Sequence, residues 1–208
     1  MTTLSLPTLA LGCLGAFLCG SIPFGLVLVK LAGKGDVRAH GSGNIGATNV
    51  SRVGGKALGI VTLLLDIAKG FLPVFVGKQL GLGESALSLL ALFAVLGHVF
   101  TPWLKFQGGK GVATALGVAL AFRAAMVLPA LGVFILLLLV FRYVSLGSVM
   151  AALALPLLLL WKGATPLVLL LWVDISLIVI LKHHENIRRL LKGTESPLWG
   201  AKKEIANG

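Results

Sequence analysis

Acidic side chains are scarce in this chain: 7 Asp and Glu in 208 residues, against 18 Lys and Arg. Charged residues of both signs reach only 12%, where a soluble domain carries roughly a quarter. So little charge cannot cover a globule of this size with polar surface, which excludes an ordinary soluble enzyme. Cysteine is limited to Cys13 and Cys19. Both lie in one apolar run, where small packing residues are expected rather than a disulfide scaffold. The first apolar run has no basic stretch before it and exceeds the ~7–15 residues of a signal peptide core, so a retained helix is expected. Low hydrophobicity, the mark of disorder, is also missing.

What the chain has is apolar length. It is 57% hydrophobic, with a mean hydropathy of +1.00. Leu4 to Val29 contains no Asp, Glu, Lys or Arg and is long enough to cross the ~30 Å hydrocarbon core, with a bend expected at Pro23. Further segments follow at about Ala57–Val76, Ser85–Leu104, Val112–Phe122, Val127–Phe141, Leu146–Trp161 and Pro166–Leu181. Val112–Phe122 and Val127–Phe141 are short and could be one helix interrupted by Arg123 and Pro129. Basic charge decides between the two arrangements. With seven spans and the N-terminus outside, 14 of the 18 basic residues fall on the inner side. Lys78, Arg123 and Lys162 fall outside, and Lys69 lies within a span. Merging the two short segments gives an even split of 8 and 8. Cytoplasmic loops collect Lys and Arg, so seven spans are expected, with the C-terminus cytoplasmic. The architecture is then an all-α polytopic bundle forming one domain over residues 1–195, followed by a loosely held basic tail at 196–208. The net charge of +11 reports topology rather than nucleic-acid binding. Asp66 and Lys69 are three apart and can pair on one helix face.

Three inner segments carry the polar chemistry. The first, Gly35–Lys56, reads GDVRAHGSGNIGATNVSRVGGK. Gly41, Gly43 and Gly46 satisfy a dinucleotide-type glycine pattern, but that fingerprint needs a βαβ unit, which a helical bundle lacks. Its underlying physics still applies: glycines let backbone N–H groups converge on an anion near a helix N-terminus. Ser42, Thr48 and Asn49 add neutral donors, and Arg52 can clamp a phosphate. The second, Gly97–Thr114, reads GHVFTPWLKFQGGKGVAT. Gly108, Gly109, Lys110 and Gly111 form a glycine turn with one cation at the start of a helix, a good phosphate seat. Phe100, Trp103 and Phe106 read as interfacial anchors, and His98 as a packing histidine. The third, Lys182–Glu195, reads KHHENIRRLLKGTE. A short helix ending at Gly193 is expected, with His183 and Asn186 on one face. Arg188, Arg189 and Lys192 suit an anionic leaflet. A smaller inner turn adds Ser145 and Ser148.

All four segments share one side under the seven-span arrangement. A phosphate-directed site at the cytoplasmic face, backed by apolar helices, suits a substrate with an anionic head and a lipid-like tail. A transporter would instead place its polar groups near the bilayer midplane.

GSGNIGATN (41–49), GHVFTPWLKFQGGKGVAT (97–114) and KHHENIRRLLKGTE (182–195) resemble the three cytoplasmic motifs of the bacterial acyl-phosphate-dependent glycerol-3-phosphate acyltransferases, the PlsY family. Ser21–Gly25 and the Val144–Ser148 turn are similar too, so the resemblance runs from about residue 15 to 195. It implies a seven-helix protein of the bacterial inner membrane. It also implies acyl transfer from a long-chain acyl phosphate to the 1-hydroxyl of glycerol 3-phosphate. The products would be lysophosphatidic acid and inorganic phosphate, with no metal and no organic cofactor. Carried over by motif position, Ser42, Thr48, Asn49 and Arg52 hold glycerol 3-phosphate. Gly108, Gly109, Lys110 and Gly111 hold the acyl phosphate, Ser145 and Ser148 line the site, and His183 and Asn186 stand at the reacting centre. Glu195 supports the third segment rather than acting in chemistry. Acyl phosphate is already activated, so transfer without a covalent acyl-enzyme is expected. Either His183 or the substrate's own phosphate serves as base. The expected partners are the two substrates and membrane lipids, not nucleic acid, and a monomer is expected to suffice.

Overall fold

The structure, a computed structural model, describes residues 5–199. Leu4, Lys202, Lys203 and the rest of the tail from 200 onward lie outside the described residues. The fold is all-helical. In chain order it comprises α1 (Leu6–Ser21), α2 (Phe24–Leu31), α3 (Ala47–Gly54), α4 (Lys56–Gln79), α5 (Glu84–Val99), α6 (Val112–Phe141), α7 (Val144–Trp161), α8 (Pro166–Lys182) and α9 (His184–Leu191). Single 3-10 turns sit at Val37–Ala39 and Pro102–Leu104. Among the described residues, five segments are long and apolar enough to cross a membrane: Leu6–Leu31, α4, Glu84–Leu104, α6 and α7. A sixth forms if α8 and α9, bent by 57°, count as one.

The boundaries have local causes. Ser5 caps α1 by accepting a hydrogen bond from the Thr8 amide. α1 stops at Ser21 because Pro23 cannot continue it, which produces the expected bend. The expected helix at Ser85–Leu104 stops earlier, at Val99, since Pro102 forces a 3-10 turn. Cys13 and Cys19 are free thiols.

α6 is the decisive element. Thirty residues in a straight helix would reach about 45 Å. Yet Lys110, just before its start, and Ser145, just beyond its end, meet in one hydrogen-bonded network around Asn186 and Glu195. The run therefore folds back, and Arg123 has the non-helical backbone that turns it (φ −149°, ψ 87°). The break leaves helix carbonyls without partners. Lys78, in the last turn of α4, donates to two of them, Ala121 O (3.2 Å) and Phe122 O (3.3 Å). The Arg123 guanidinium pairs with Glu84, the first residue of α5.

The core fills the space between the helices with Trp172, Leu159, Ile175, Val95, Val118, Val168 and Val179. Outward faces are just as apolar: Leu128 is 72% exposed and Leu157 65%, as lipid-facing helices require. Glycines bring backbones together. A Cβ on Gly20 would collide with the Ala94 backbone, one on Gly97 with Phe17, and one on Gly117 with Ile67.

Asp66 and Lys69 pair as expected, at 2.7 Å and buried. Lys69 Nζ also donates to Ile22 O (2.7 Å) at the α1–α2 break. Removing one partner of such a pair strands the other in the core. Asp66→Ala is expected to destabilise the protein by about 3–5 kcal/mol. Thermal denaturation in detergent checks this, and the double variant Asp66→Ala/Lys69→Met should recover most of the loss.

Candidate active site

The first segment forms a loop built around one side chain. Asn49, 2% exposed at the start of α3, accepts a hydrogen bond from the Ser42 amide (2.9 Å). Its amide nitrogen donates to Val37 O, His40 O and Asn44 O at 2.9–3.1 Å. The expectation that Asn49 offers donors to a substrate meets a different arrangement: these bonds bind its amide to the loop. Gly41, with φ +62°, packs directly against Asn49 Oδ1, so no side chain fits there. α3 begins at Gly46 without a side-chain cap, leaving the amides of Ala47 and Thr48 open at its positive end. The hydroxyls of Ser42 and Thr48 and the exposed Arg52 guanidinium make no hydrogen bond among the described residues. No hydrogen bond joins these three to the other two segments.

The glycine turn packs onto the end of α5. Gly108 donates to Val99 O (3.0 Å) and Gly109 to His98 O (3.2 Å). A Cβ on Gly108 would collide with His98 O, and one on Gly109 with the His98 ring. These two glycines therefore spend their N–H groups on α5 and serve by close approach. The donors left at this turn belong to Lys110, Gly111 and the first turn of α6, where Gly111 adopts φ +84°. His98 is a buried packing residue, as expected. Trp103 and Phe106 are exposed beside the turn, and Trp103 Nε1 donates to Ser21 Oγ (2.9 Å).

The third segment supplies the hub. Glu195 Oε1 accepts from Asn186 Nδ2 (2.6 Å) and Ser145 Oγ (2.7 Å), and Oε2 from Arg189 Nε (2.7 Å). Asn186 Oδ1 in turn accepts from Lys110 Nζ (2.5 Å). Four parts of the chain thus meet: the glycine turn, the α7 start, α9 and the segment after Gly193. Burial alone would raise the Glu195 carboxyl, but hydrogen bonds from Asn186, Ser145 and Arg189 bring it below its ordinary value. Ser148 is buried one turn along α7, its hydroxyl donating to Val144 O (2.8 Å). The chain stays attached beyond Glu195, where the Leu198 amide donates to Arg142 O (2.8 Å). Sequence reading assigned Arg189 to the lipid surface. Its six-residue separation from Glu195 crosses the Gly193 turn, so helical periodicity gives no sign of the pair.

Lys110 is pushed down from its ordinary value, first by burial. Glu195 and Glu185 oppose the shift, while Arg189 and Arg52 reinforce it. That influence places Arg52 of the first segment in the same electrostatic neighbourhood. His183, 3% exposed at the end of α8, has Nδ1 2.7 Å from Val179 O. A carbonyl can only accept, so Nδ1 carries the proton and Nε2 keeps its lone pair. Burial lowers His183 to about 4, against a partly opposing backbone hydrogen bond and with help from Lys110. The imidazole is therefore neutral at physiological pH.

A site of this kind holds two cations, open amides at two helix starts and a neutral histidine, and it can bind anionic groups. The glycerol-3-phosphate acyltransferase family model matches residues 10–193. The chain is 54% identical to the glycerol-3-phosphate acyltransferase of Trichlorobacter lovleyi, over 88% of this chain and 93% of that protein. It is 51% identical to that of Geobacter sulfurreducens, over 87% and 93%. Its fold is similar to the crystal structure of PlsY, an integral membrane glycerol 3-phosphate acyltransferase, in the glycerol 3-phosphate form. The TM-score is 0.89 at 40% identity, covering 96% of this chain and all of that one. The lysophosphatidic acid form matches with a TM-score of 0.84 at 41% identity, over 91% and 95%. From its motifs, its fold and these likenesses together, the chain belongs to the PlsY family of glycerol-3-phosphate acyltransferases, integral membrane enzymes of phospholipid synthesis.

Proposed function

We propose that this enzyme moves a fatty acyl group from acyl phosphate to the 1-hydroxyl of sn-glycerol 3-phosphate, releasing lysophosphatidic acid and inorganic phosphate. It works without metal or organic cofactor, at the cytoplasmic face of the bacterial inner membrane. The observation that carries the reading is the meeting of Lys110, Asn186, Glu195 and Ser145 at one end of the bundle, with His183 beside them. The related PlsY structures in the glycerol 3-phosphate and lysophosphatidic acid forms support the same substrate and product. Seven spans with an outside N-terminus fit the reversal of α6 at Arg123 and the single end at which the motif residues gather.

Two phosphates need two seats. Lys110, the Gly111 amide and the first turn of α6 take the acyl phosphate, while Arg52, Ser42, Thr48 and the open amides of α3 take glycerol 3-phosphate. Transfer is direct. The acceptor oxygen forms a bond to the acyl carbonyl carbon, the carbon–oxygen bond to phosphate breaks, and inorganic phosphate departs with that electron pair. Lys110 offsets charge on the leaving phosphate. The acceptor proton passes to the substrate's phosphate, a monoester that titrates near pH ~6. His183 Nε2 accepts a hydrogen bond from the hydroxyl and aims it. Asn186 fixes Lys110, and Ser145 and Ser148 close the α7 side.

Purified protein supplied with glycerol 3-phosphate and acyl phosphate, acyl-CoA or acyl-carrier protein in parallel tests the donor. Lysophosphatidate should form with acyl phosphate, and formation only from a thioester would overturn the reading. His183→Ala should lower kcat by about 100-fold or more. His183→Gln, which returns a polar atom near the Nε2 position, should retain more activity than His183→Asn. Because folding depresses His183 to about 4, the folded state binds this proton less readily than the unfolded chain. Stability is full above about pH 6.5 and is lost as pH falls towards 4. The denaturation midpoint of the wild type should fall faster than that of His183→Gln between pH 7 and 5. With Cys13 and Cys19 replaced by Ala, single cysteines at 123 and 162 should label from outside, and those at 36 and 192 from inside.

A further inference from the structure

A polar cluster lies buried behind the site, and the proposed chemistry uses none of it. Asp66 and Lys69 of α4 and His98 of α5 are each under 5% exposed. Charged and polar groups at this depth are costly unless they do something an apolar residue cannot. This cluster touches the supports of both substrate seats. On one side, Lys69 Nζ holds Ile22 O (2.7 Å), where α1 gives way to α2. Two residues into α2, Gly25 packs against Ile45 O of the first loop so closely that a Cβ would collide.

On the other side stands His98. Its Nδ1 faces Asp66 Oδ1 at 3.9 Å. Its opposite edge, at Nε2, lies directly beneath Gly109, where a Cβ would overlap the ring. The same residue's carbonyl accepts the Gly109 amide (3.2 Å). The imidazole is thus a floor under the turn, bearing Gly109 at the Nε2 edge, while its Nδ1 edge faces the Asp66–Lys69 pair without a hydrogen bond to it. Lys110 is the next residue.

We propose that His98 is a positioning residue for the acyl donor: its ring, packed under Gly109, and its carbonyl, which accepts the Gly109 amide, set the height of the Gly108–Lys110 turn against the donor phosphate. The proposal rests on the reading that this turn seats the donor. It predicts an asymmetry between the substrates, because the ring contacts the donor turn and not the first loop.

The test compares His98→Ala, His98→Asn and His98→Gln, purified in detergent, by steady-state kinetics for each substrate and by thermal denaturation. Ala and Asn leave a gap beneath Gly109, and the donor KM should rise about tenfold or more, with the glycerol 3-phosphate KM within about twofold. Gln places its polar end near the Nε2 position and should recover most of the donor KM. An unchanged donor KM in variants that keep the wild-type denaturation midpoint overturns the proposal. So does a uniform loss in both KM values that tracks the midpoint whatever the side chain, or a His98→Gln protein that does not fold. The wild type is assayed with acyl phosphate and with acyl-CoA. If only acyl-CoA is used, the donor assignment fails by itself, and the His98 series measured with acyl-CoA still decides the positioning role.

Discussion

The site depends on one carboxylate. Glu195 has few acidic companions in the chain, and its two oxygens accept from Asn186, Ser145 and Arg189. Through Asn186 it also fixes Lys110. Among the described residues, no other group joins the glycine turn, the α7 start, α9 and the segment after Gly193 at once. Its partners come from α7 and α9 and, through Asn186, the glycine turn, so one carboxylate links parts far apart in the chain. The surplus of positive charge gives it a second role: Arg189 and Arg52 disfavour the charged form of Lys110, and Glu195 opposes them.

The reversal of α6 at Arg123 is what permits that meeting. A continuous helix would carry the α7 start to the opposite end from Lys110. The fold-back is stabilised where it is made, with Lys78 on the freed carbonyls and Arg123 on Glu84. The three basic residues assigned to the outer side are Lys78, Arg123 and Lys162, so two of them serve this turn. Basic side chains thus close one end of the bundle and equip the other.

The helical bundle was legible because apolar length is a summed property of many residues. The break at Pro23, the Asp66–Lys69 pair and the supporting role of Glu195 followed from spacing or motif position. Contacts across turns did not. Asn49 was read as a donor to substrate because its side chain suits that work, but it is committed to four backbone partners scattered from Val37 to Asn44. Gly108 and Gly109 are expected in the phosphate seat, and only the packing against α5 shows their amides already used. Arg189 looked like a lipid-facing cation until the Gly193 turn brought Glu195 to it. In each case the sequence carries the residue type and the fold supplies the partner.

The claim that one carboxylate assembles the site is tested most directly by the turnover of Glu195→Gln, measured with both substrates saturating. Gln keeps the shape but loses the negative charge that offsets Lys110 and Arg189. The account predicts a fall in kcat of about 100-fold in a protein that still folds. A kcat near the wild-type value in the folded variant would contradict it.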